Sequence, residues 1–374
     1  MRRGLRIVLK ILLVILGLGL LLIVAARLFV HFNPVFGGSA EGERLDRMEA
    51  SPNYRDGQFH NLAPVSYAPK TPAGKSAVGD KLELMMDFLF PPAGKNPDSP
   101  IETVPLRADS LQDGQFAWLG HSTVLFRIGG ITVATDPVFY NAAPVSFLVK
   151  PFAMTHRPRV EDMPFVDVVI ISHDHYDHLD MRAIRELQDS VGCFIVPLGV
   201  GAHLERWGVP PGKIRELDWY ETERMGEVDF TLAPSRHFSG RGPTDRMKTL
   251  WGSWAMVSPQ LRVYFSGDGG YSPEFAKIGE RFGGFDLAFL ENGAYNIRWP
   301  DIHMQPEQTA QAAIDLHTKR VLPIHWSKFD LSTHQWQEPP RRLGAALQKH
   351  NDTVEDGQKV AVLRPMIGEV FGVE

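Results

Sequence analysis

The sequence predicts an α/β layered domain behind a single apolar N-terminal helix. Three observations predict it. Ile7–Val30 is almost wholly apolar, β-branched runs alternate with amphipathic helical patterns over residues 115–370, and one such run after another ends in histidine or aspartate.

Between Lys10 and Arg27 lie sixteen uninterrupted Ile, Leu, Val, Gly and Ala residues. With flanking bases able to snorkel, the segment meets the ~20 residues that a spanning helix needs. A cleaved signal peptide is the rival reading. It is disfavoured by the long apolar core and by Arg27, which sits where a small-residue cleavage site would be expected. Residues 1–32 are therefore read as an uncleaved single-pass anchor. Arg2, Arg3 and Arg6 stay cytoplasmic, and the body faces the periplasm if the membrane is a bacterial inner membrane.

Charge excludes one class of partner. The anchor holds five of the 39 bases and no acid, which leaves 34 bases against 44 acids, a balance of −10 for the body. No basic stripe interrupts it, so nucleic acid is not expected as a partner. Cys193 is the single cysteine, which rules out an intrachain disulfide; it sits in an apolar run and reads as a small buried hydrophobe.

Residues 33–114 read as an N-terminal extension, irregular to residue 75. A short helix follows at Lys81–Phe90, its apolar face expected to join the core, and Pro91-Pro92 ends it. The main domain is assigned to 115–374. Strands are expected at Phe116–Leu119, Thr123–Ile128 and Ile131–Ala134, the last two joined by Gly129-Gly130. Val166–Ser172 reads as a strand buried on both faces. Helices are expected at Met181–Gln188, Val200–Trp207 and Pro306–Leu316. Further strands are expected at Phe194–Pro197, Phe230–Ala233, Leu261–Ser266, Leu287–Leu290 and Val321–Ile324.

Strand ends bring the chemistry together. Val166–Ser172 runs into His173-Asp174-His175-Tyr176-Asp177-His178. Three later strands lead to His237, Asp268 and His325. Ligand sites of α/β sheets lie at such ends. Imidazole and carboxylate are the ligands of zinc and related divalent cations. Seven candidates exceed what one tetrahedral cation uses, so two cations are implied, with zinc the first choice. His173, His175 and His237 form one site; Asp177, His178 and His325 form the other, and Asp268 bridges them. Two cations about 3.5–4 Å apart can activate a water and clamp a displacement transition state. Asp174 and Tyr176 are then spacers, while His317, His334 and His350 read as structural.

His-x-His-x-Asp-His with separated His, Asp and His resembles the metallo-β-lactamase superfamily. That resemblance implies its αββα sandwich, two mixed sheets flanked by helices. Trp118–Thr123, Thr135–Phe139, Ile171–Asp180, Leu250–Trp254, Phe265–Tyr271, Gly293–Tyr295 and Ile324–Trp326 are similar to its N-acylphosphatidylethanolamine-hydrolysing phospholipase D branch, over roughly 115–345. The branch implies a phosphodiesterase acting on N-acylphosphatidylethanolamine-like phospholipids, releasing phosphatidic acid and an N-acylethanolamine. His303 and Asp177 are the catalytic candidates, His303 contacting the phosphate or protonating the leaving alkoxide. Asp136 and His121 are expected to orient ligand imidazoles by hydrogen bonds. Two positions depart from the branch: Gly269 replaces its Thr and Ile302 its Gln, beside a shorter Trp299–His303 loop. A lactonase or other carboxylic ester hydrolase is the alternative, since the same site can attack a carbonyl. A membrane-anchored, metal-dependent binding protein without catalysis is the third reading, opposed by the complete ligand set.

Overall fold

The computed structural model of the chain describes residues 2–373. Helix α1 (Arg2–Phe32) is long and apolar enough to cross a membrane, and none of its span is buried against the body. The segment expected to be irregular holds a short helix, α2 (Glu43–Glu49), and a two-residue ladder of β1 (Tyr54–Arg55) with β2 (Gln58–Phe59). Met48 and Phe59 fasten this extension to the body by entering its main core cluster.

Helix α3 (Ala77–Leu89) corrects the expectation of an apolar face turned inward. Val78, Leu82, Met85, Met86 and Leu89 are 42–79% exposed, and the buried side chain is Asp80. Asp80 pairs at 2.9 Å with the equally buried Arg298, so a carboxylate rather than an apolar stripe seats the helix. Helical periodicity shows that a stripe exists but not which way it faces.

The body is two seven-stranded mixed sheets. The first comprises β3 (Gln115–Trp118), β4 (Val124–Ile128), β5 (Ile131–Thr135), β6 (Val166–Ile170), β7 (Val191–Pro197) and β8 (Ile214–Leu217), with α4 (Met181–Leu187) and α5 (Gly201–Arg206) between its later strands. The second comprises β9 (Thr222–Met225), β10 (Val228–Ala233), β11 (Ser253–Val257), β12 (Arg262–Phe265), β13 (Leu287–Glu291), β14 (Arg320–Ile324) and β15 (Ala361–Val362). Helices α6 (Glu274–Phe282), α7 (Pro306–Asp315) and α8 (Glu338–Asn351) accompany it. A last strand, β16 (Val370–Gly372), returns to pair with β3. Strands β5 to β8 run parallel, as do β12 to β15; the remaining pairs are antiparallel.

Alternation along the strands makes the layers. In β6, Val168 and Ile170 face the second sheet, where Phe230, Trp254, Phe265 and Phe289 meet them; Val169 and the following Ile171 face α4 and α5. Each such side chain contributes about 1.5–3 kcal/mol by leaving water. On the far side, Tyr264, Ala288 and Leu290 pack under α6, α7 and α8. The order is helix, sheet, sheet, helix, as the resemblance implies. Gly129 and Gly130, at φ 55° and 77°, turn β4 into β5 as expected. The expected strand at Val166–Ser172 stops at Ile170, because Ser172 leaves the ladder to bond Asp136.

Candidate metal centre

Strands β6, β10, β12, β13 and β14 all release their chains at one edge of the sandwich, and that edge gathers the predicted ligands. Asp180 caps α4 by accepting from Arg182 and Ala183, so residues 171–180 form a short loop pinned at both ends. Gly267 (φ 54°) lets the loop after β12 close on it, since a Cβ there would overlap Ser172 and the Gly252 carbonyl. Non-glycine residues with positive φ cluster here: His121, Asp136 and His325, at 54°, 34° and 65°. Left-handed backbone at such residues is costly and tends to mark functional sites.

His173, His175 and His237 form one group. His175 Nδ1 lies 2.8 Å from His173 Nε2 and 3.3 Å from His237 Nε2. Asp177, His178 and His325 form another, together with His121. Asp268 stands between: Oδ1 is 3.2 Å from His178 Nε2, and Oδ2 is 3.0 Å from His325 Nε2 and 3.9 Å from His237 Nε2. Asp177 Oδ2 is 3.2 Å from His325 Nε2 and 3.0 Å from His121 Nε2.

Outer partners set which ring nitrogens face inward. Asp136 accepts from Ser172 N at 2.7 Å, Ser172 Oγ at 2.5 Å and His178 Nδ1 at 2.6 Å. Ser172 Oγ, its proton committed to Asp136, accepts from His173 Nδ1 at 2.9 Å. The Ile302 carbonyl accepts from His237 Nδ1 at 3.1 Å, so this departure from the branch serves through its backbone. Each of the three rings then turns a Nε2 lone pair inward. Lone pairs facing one another within hydrogen-bond distance need a cation or a proton between them. His178 Nε2 and Asp268 Oδ1 are buried with no aligned hydrogen-bond partner, although they lie within ion-pair distance of each other. The donor set fits divalent cations.

Electrostatics agree. Burial above all, with neighbouring imidazoles, holds His173 and His237 well below the usual histidine range and so keeps them neutral. Burial alone would raise Asp177 and Asp268, but the imidazoles beside them hold both well below the carboxylate range. Burial would lower His178 and His325, yet Asp268 and Asp177 hold His178 well above the usual histidine range and push His325 up to about 10, so without a cation each keeps its proton. A group so placed holds a proton that a cation must displace. Burial takes His121 down to about 3, consistent with a neutral ring directed at Asp177.

His303 stands at the edge of the cluster. Its Nδ1 donates to Glu291 Oε1 at 2.6 Å, and its ring lies 5.3 Å from that of His325. Its side chain is 13% exposed and that of Asp177 16%, against 0–2% for His178, Asp268 and His325. Glu291 is the acid that the sequence reading passed over. It ends β13 one residue beyond Leu290 and sits at a fifth strand end of the same kind. Asp174 is more than a spacer: it accepts from His203 Nε2, Thr249 Oγ1 and Gly240 N at 3.2, 2.8 and 2.7 Å. His317, His334 and His350 join none of these groups.

A model of the beta-lactamase superfamily domain matches residues 132–326. An uncharacterized protein of Mycobacterium tuberculosis is 41% identical over 351 residues, 90% of this chain and 91% of that protein. The N-acyl-phosphatidylethanolamine-hydrolyzing phospholipase D 1 of Caenorhabditis elegans is 32% identical over 291 residues, 73% of this chain and 81% of the relative. A possible metal-dependent hydrolase of Veillonella parvula, 15% identical, shares the fold with a TM-score of 0.53 over 70% of this chain and all of its own.

Proposed function

The chain belongs to the metallo-β-lactamase superfamily of metal-dependent hydrolases, and from that premise we propose a phospholipase D-type phosphodiesterase. Its substrates are N-acylphosphatidylethanolamine-like phospholipids, and its products phosphatidic acid and an N-acylethanolamine. The observation that carries the chemistry is the convergence of seven donors from four strand ends on two groups joined by Asp268. His173, His175 and His237 would hold one divalent cation, and Asp177, His178 and His325 a second, with Asp268 placed between the two groups; zinc would suit the nitrogen-rich set. When bound, the pair supplies charge stabilisation for a phosphoryl oxygen and a water made nucleophilic near neutral pH.

The chain's own groups do the rest. Glu291 fixes the His303 ring through Nδ1, which leaves Nε2 to face substrate and give a proton to the departing alkoxide. Asp177, His303 and His175 are the partly exposed members of the cluster, so these three line the side from which substrate arrives. Asp136, Ser172 and His121 hold the ligands in register. The substrate class rests on the likeness to the nematode phospholipase D, supported by α1 and by the outward apolar stripe of α3. Both elements suit a protein anchored in a membrane, with its catalytic body on the extracytoplasmic side.

Turnover of N-acylphosphatidylethanolamine, phosphatidylethanolamine, an aryl phosphodiester and a lactone, measured side by side on metal-replete protein, tests this. The expected order puts the N-acylated lipid first. Faster lactone cleavage transfers the assignment to carboxylic ester hydrolysis, and no turnover of any of the four leaves a binding protein.

A further inference from the structure

The first residues after the membrane helix are built into the underside of the metal-binding loop. Asn33 caps a turn at Pro34–Phe36, and the Pro34 and Val35 carbonyls accept from side chains of the body. Trp207 Nε1 donates to the Pro34 carbonyl at 2.6 Å, and Arg206 Nη2 to the His31 carbonyl at 3.0 Å. Gly37 (φ 78°) packs against the His203 ring and Gly38 against the Ala202 carbonyl, with no room for a Cβ at either. His203 in turn donates to Asp174 of the metal-binding loop.

Arg241 joins the two pieces directly. Nε and Nη2 donate to the Val35 carbonyl at 3.0 and 2.9 Å; Nη1 donates to the carbonyls of Asp174 and Leu179 at 2.7 and 2.8 Å. Tyr176 lies under the guanidinium, 4.2 Å from ring centroid to Cζ, and its hydroxyl donates to the Arg241 carbonyl at 2.6 Å. Arg241 is 4% exposed, and these side-chain bonds end on neutral carbonyl oxygens. Burying a guanidinium against neutral partners is costly. That cost suits a fixed planar fork, which can grip two backbone segments at once.

We propose that Arg241 is a positioning residue that fastens the metal-binding loop, residues 173–178, to the chain leaving the membrane helix, so that cation binding and the seating of this segment are coupled. The proposal rests on the metal-centre reading. Coupling of this kind is reciprocal: whatever tightens one end tightens the other. The anchor then holds the site at a fixed height over the bilayer instead of tethering it loosely.

Hydrogen exchange on the full chain in lipid nanodiscs, zinc-loaded and after chelation, reads the coupling without any substitution. Removing zinc should speed exchange in residues 33–38 about tenfold, along with residues 173–179, in line with what outer partners contribute to metal sites. The Arg241→Lys variant keeps the charge and loses the fork; its zinc affinity, by chelator competition, should fall about tenfold with the far-ultraviolet circular dichroism retained. If the chain binds zinc and chelation loosens 173–179 while leaving 33–38 unchanged, the coupling is wrong and the metal centre stands. If the wild-type chain binds no divalent cation, the metal centre itself falls and the coupling with it.

Discussion

Replacing Asp136 by Asn should weaken metal binding more than any change to a group that touches neither substrate nor cation. Asp136 is fully buried, and its carboxylate receives three bonds: the Ser172 amide, the Ser172 hydroxyl and His178 Nδ1. An amide oxygen can still accept from Ser172 N, but its NH2 cannot accept from His178. The ring loses the bond that fixes its tautomer, and Ser172 Oγ loses the acceptor that frees it to receive from His173. One hydrogen bond to a charged group is worth about 1.5–3 kcal/mol. At about 1.4 kcal/mol per decade this is roughly 10–150-fold in the zinc dissociation constant. The estimate overlaps the 10–100-fold typical of partners outside the ligand set. Competition against a calibrated chelator at fixed pH measures it, with the melting temperature recorded on the same samples. Asp180→Ala is the control. Asp180 is also buried and accepts from four backbone amides, those of Phe139, Tyr140, Arg182 and Ala183, but touches no ligand side chain. It should cost about 1–2 kcal/mol of stability, as a lost helix cap does, and weaken zinc binding far less than Asp136→Asn. Wild-type zinc affinity in a folded Asp136→Asn protein would refute the ligand-orientation argument, and zinc loss in Asp180→Ala alone would reverse it.

Other predictions address the remaining groups. His303→Ala should lower kcat by about 10²–10³ with zinc content unchanged, and Glu291→Gln by about ten- to a hundredfold, because it removes the partner and not the acid. An unchanged kcat in His303→Ala takes that residue out of the mechanism. Asp80→Asn leaves buried Arg298 with only the more distant carboxylate of Glu83, at 3.7 Å, and should cost about 1.5–3 kcal/mol, with early proteolysis within α3. An unshifted melt and an uncut α3 count against a seat made by this pair. Lys328 donates to the Leu119 and Val138 carbonyls, and burial pushes it down to about 7. The unfolded chain therefore binds more protons between about pH 7 and pH 10.5, and the wild type gains up to about 1.4 kcal/mol per pH unit across that window. Lys328→Met should abolish this gain, so the difference in urea midpoint between the two proteins should change from pH 6.5 to pH 9. A constant difference argues against a neutral buried amine.

The chemistry of the site was readable because it lies in side-chain types at strand ends, which periodicity locates. Val166-Asp167-Val168-Val169-Ile170 announces a strand buried on both faces, and its end fixes where His173 to His178 must stand. Glu291 escaped because an acid closing an apolar run looks like a strand boundary until the ring it holds, twelve residues on, is seen beside it. Helix α8 escaped because Pro339-Pro340 resembles a break, although both prolines sit in its first turn, where no intrahelical amide is lost. The direction of α3 is a different kind of failure. Its seat is an ion pair across 218 residues, and no local pattern encodes a partner that distant. Arg241 marks the limit of such reading. Its partners are the carbonyls of Val35, Asp174 and Leu179, and a carbonyl is the same atom in every residue. Sequence can therefore nominate ligands by type, but whatever holds those ligands through backbone oxygen stays hidden until the chain is folded. For this protein that hidden part includes the junction between the apolar N-terminal helix and the loop of candidate metal ligands.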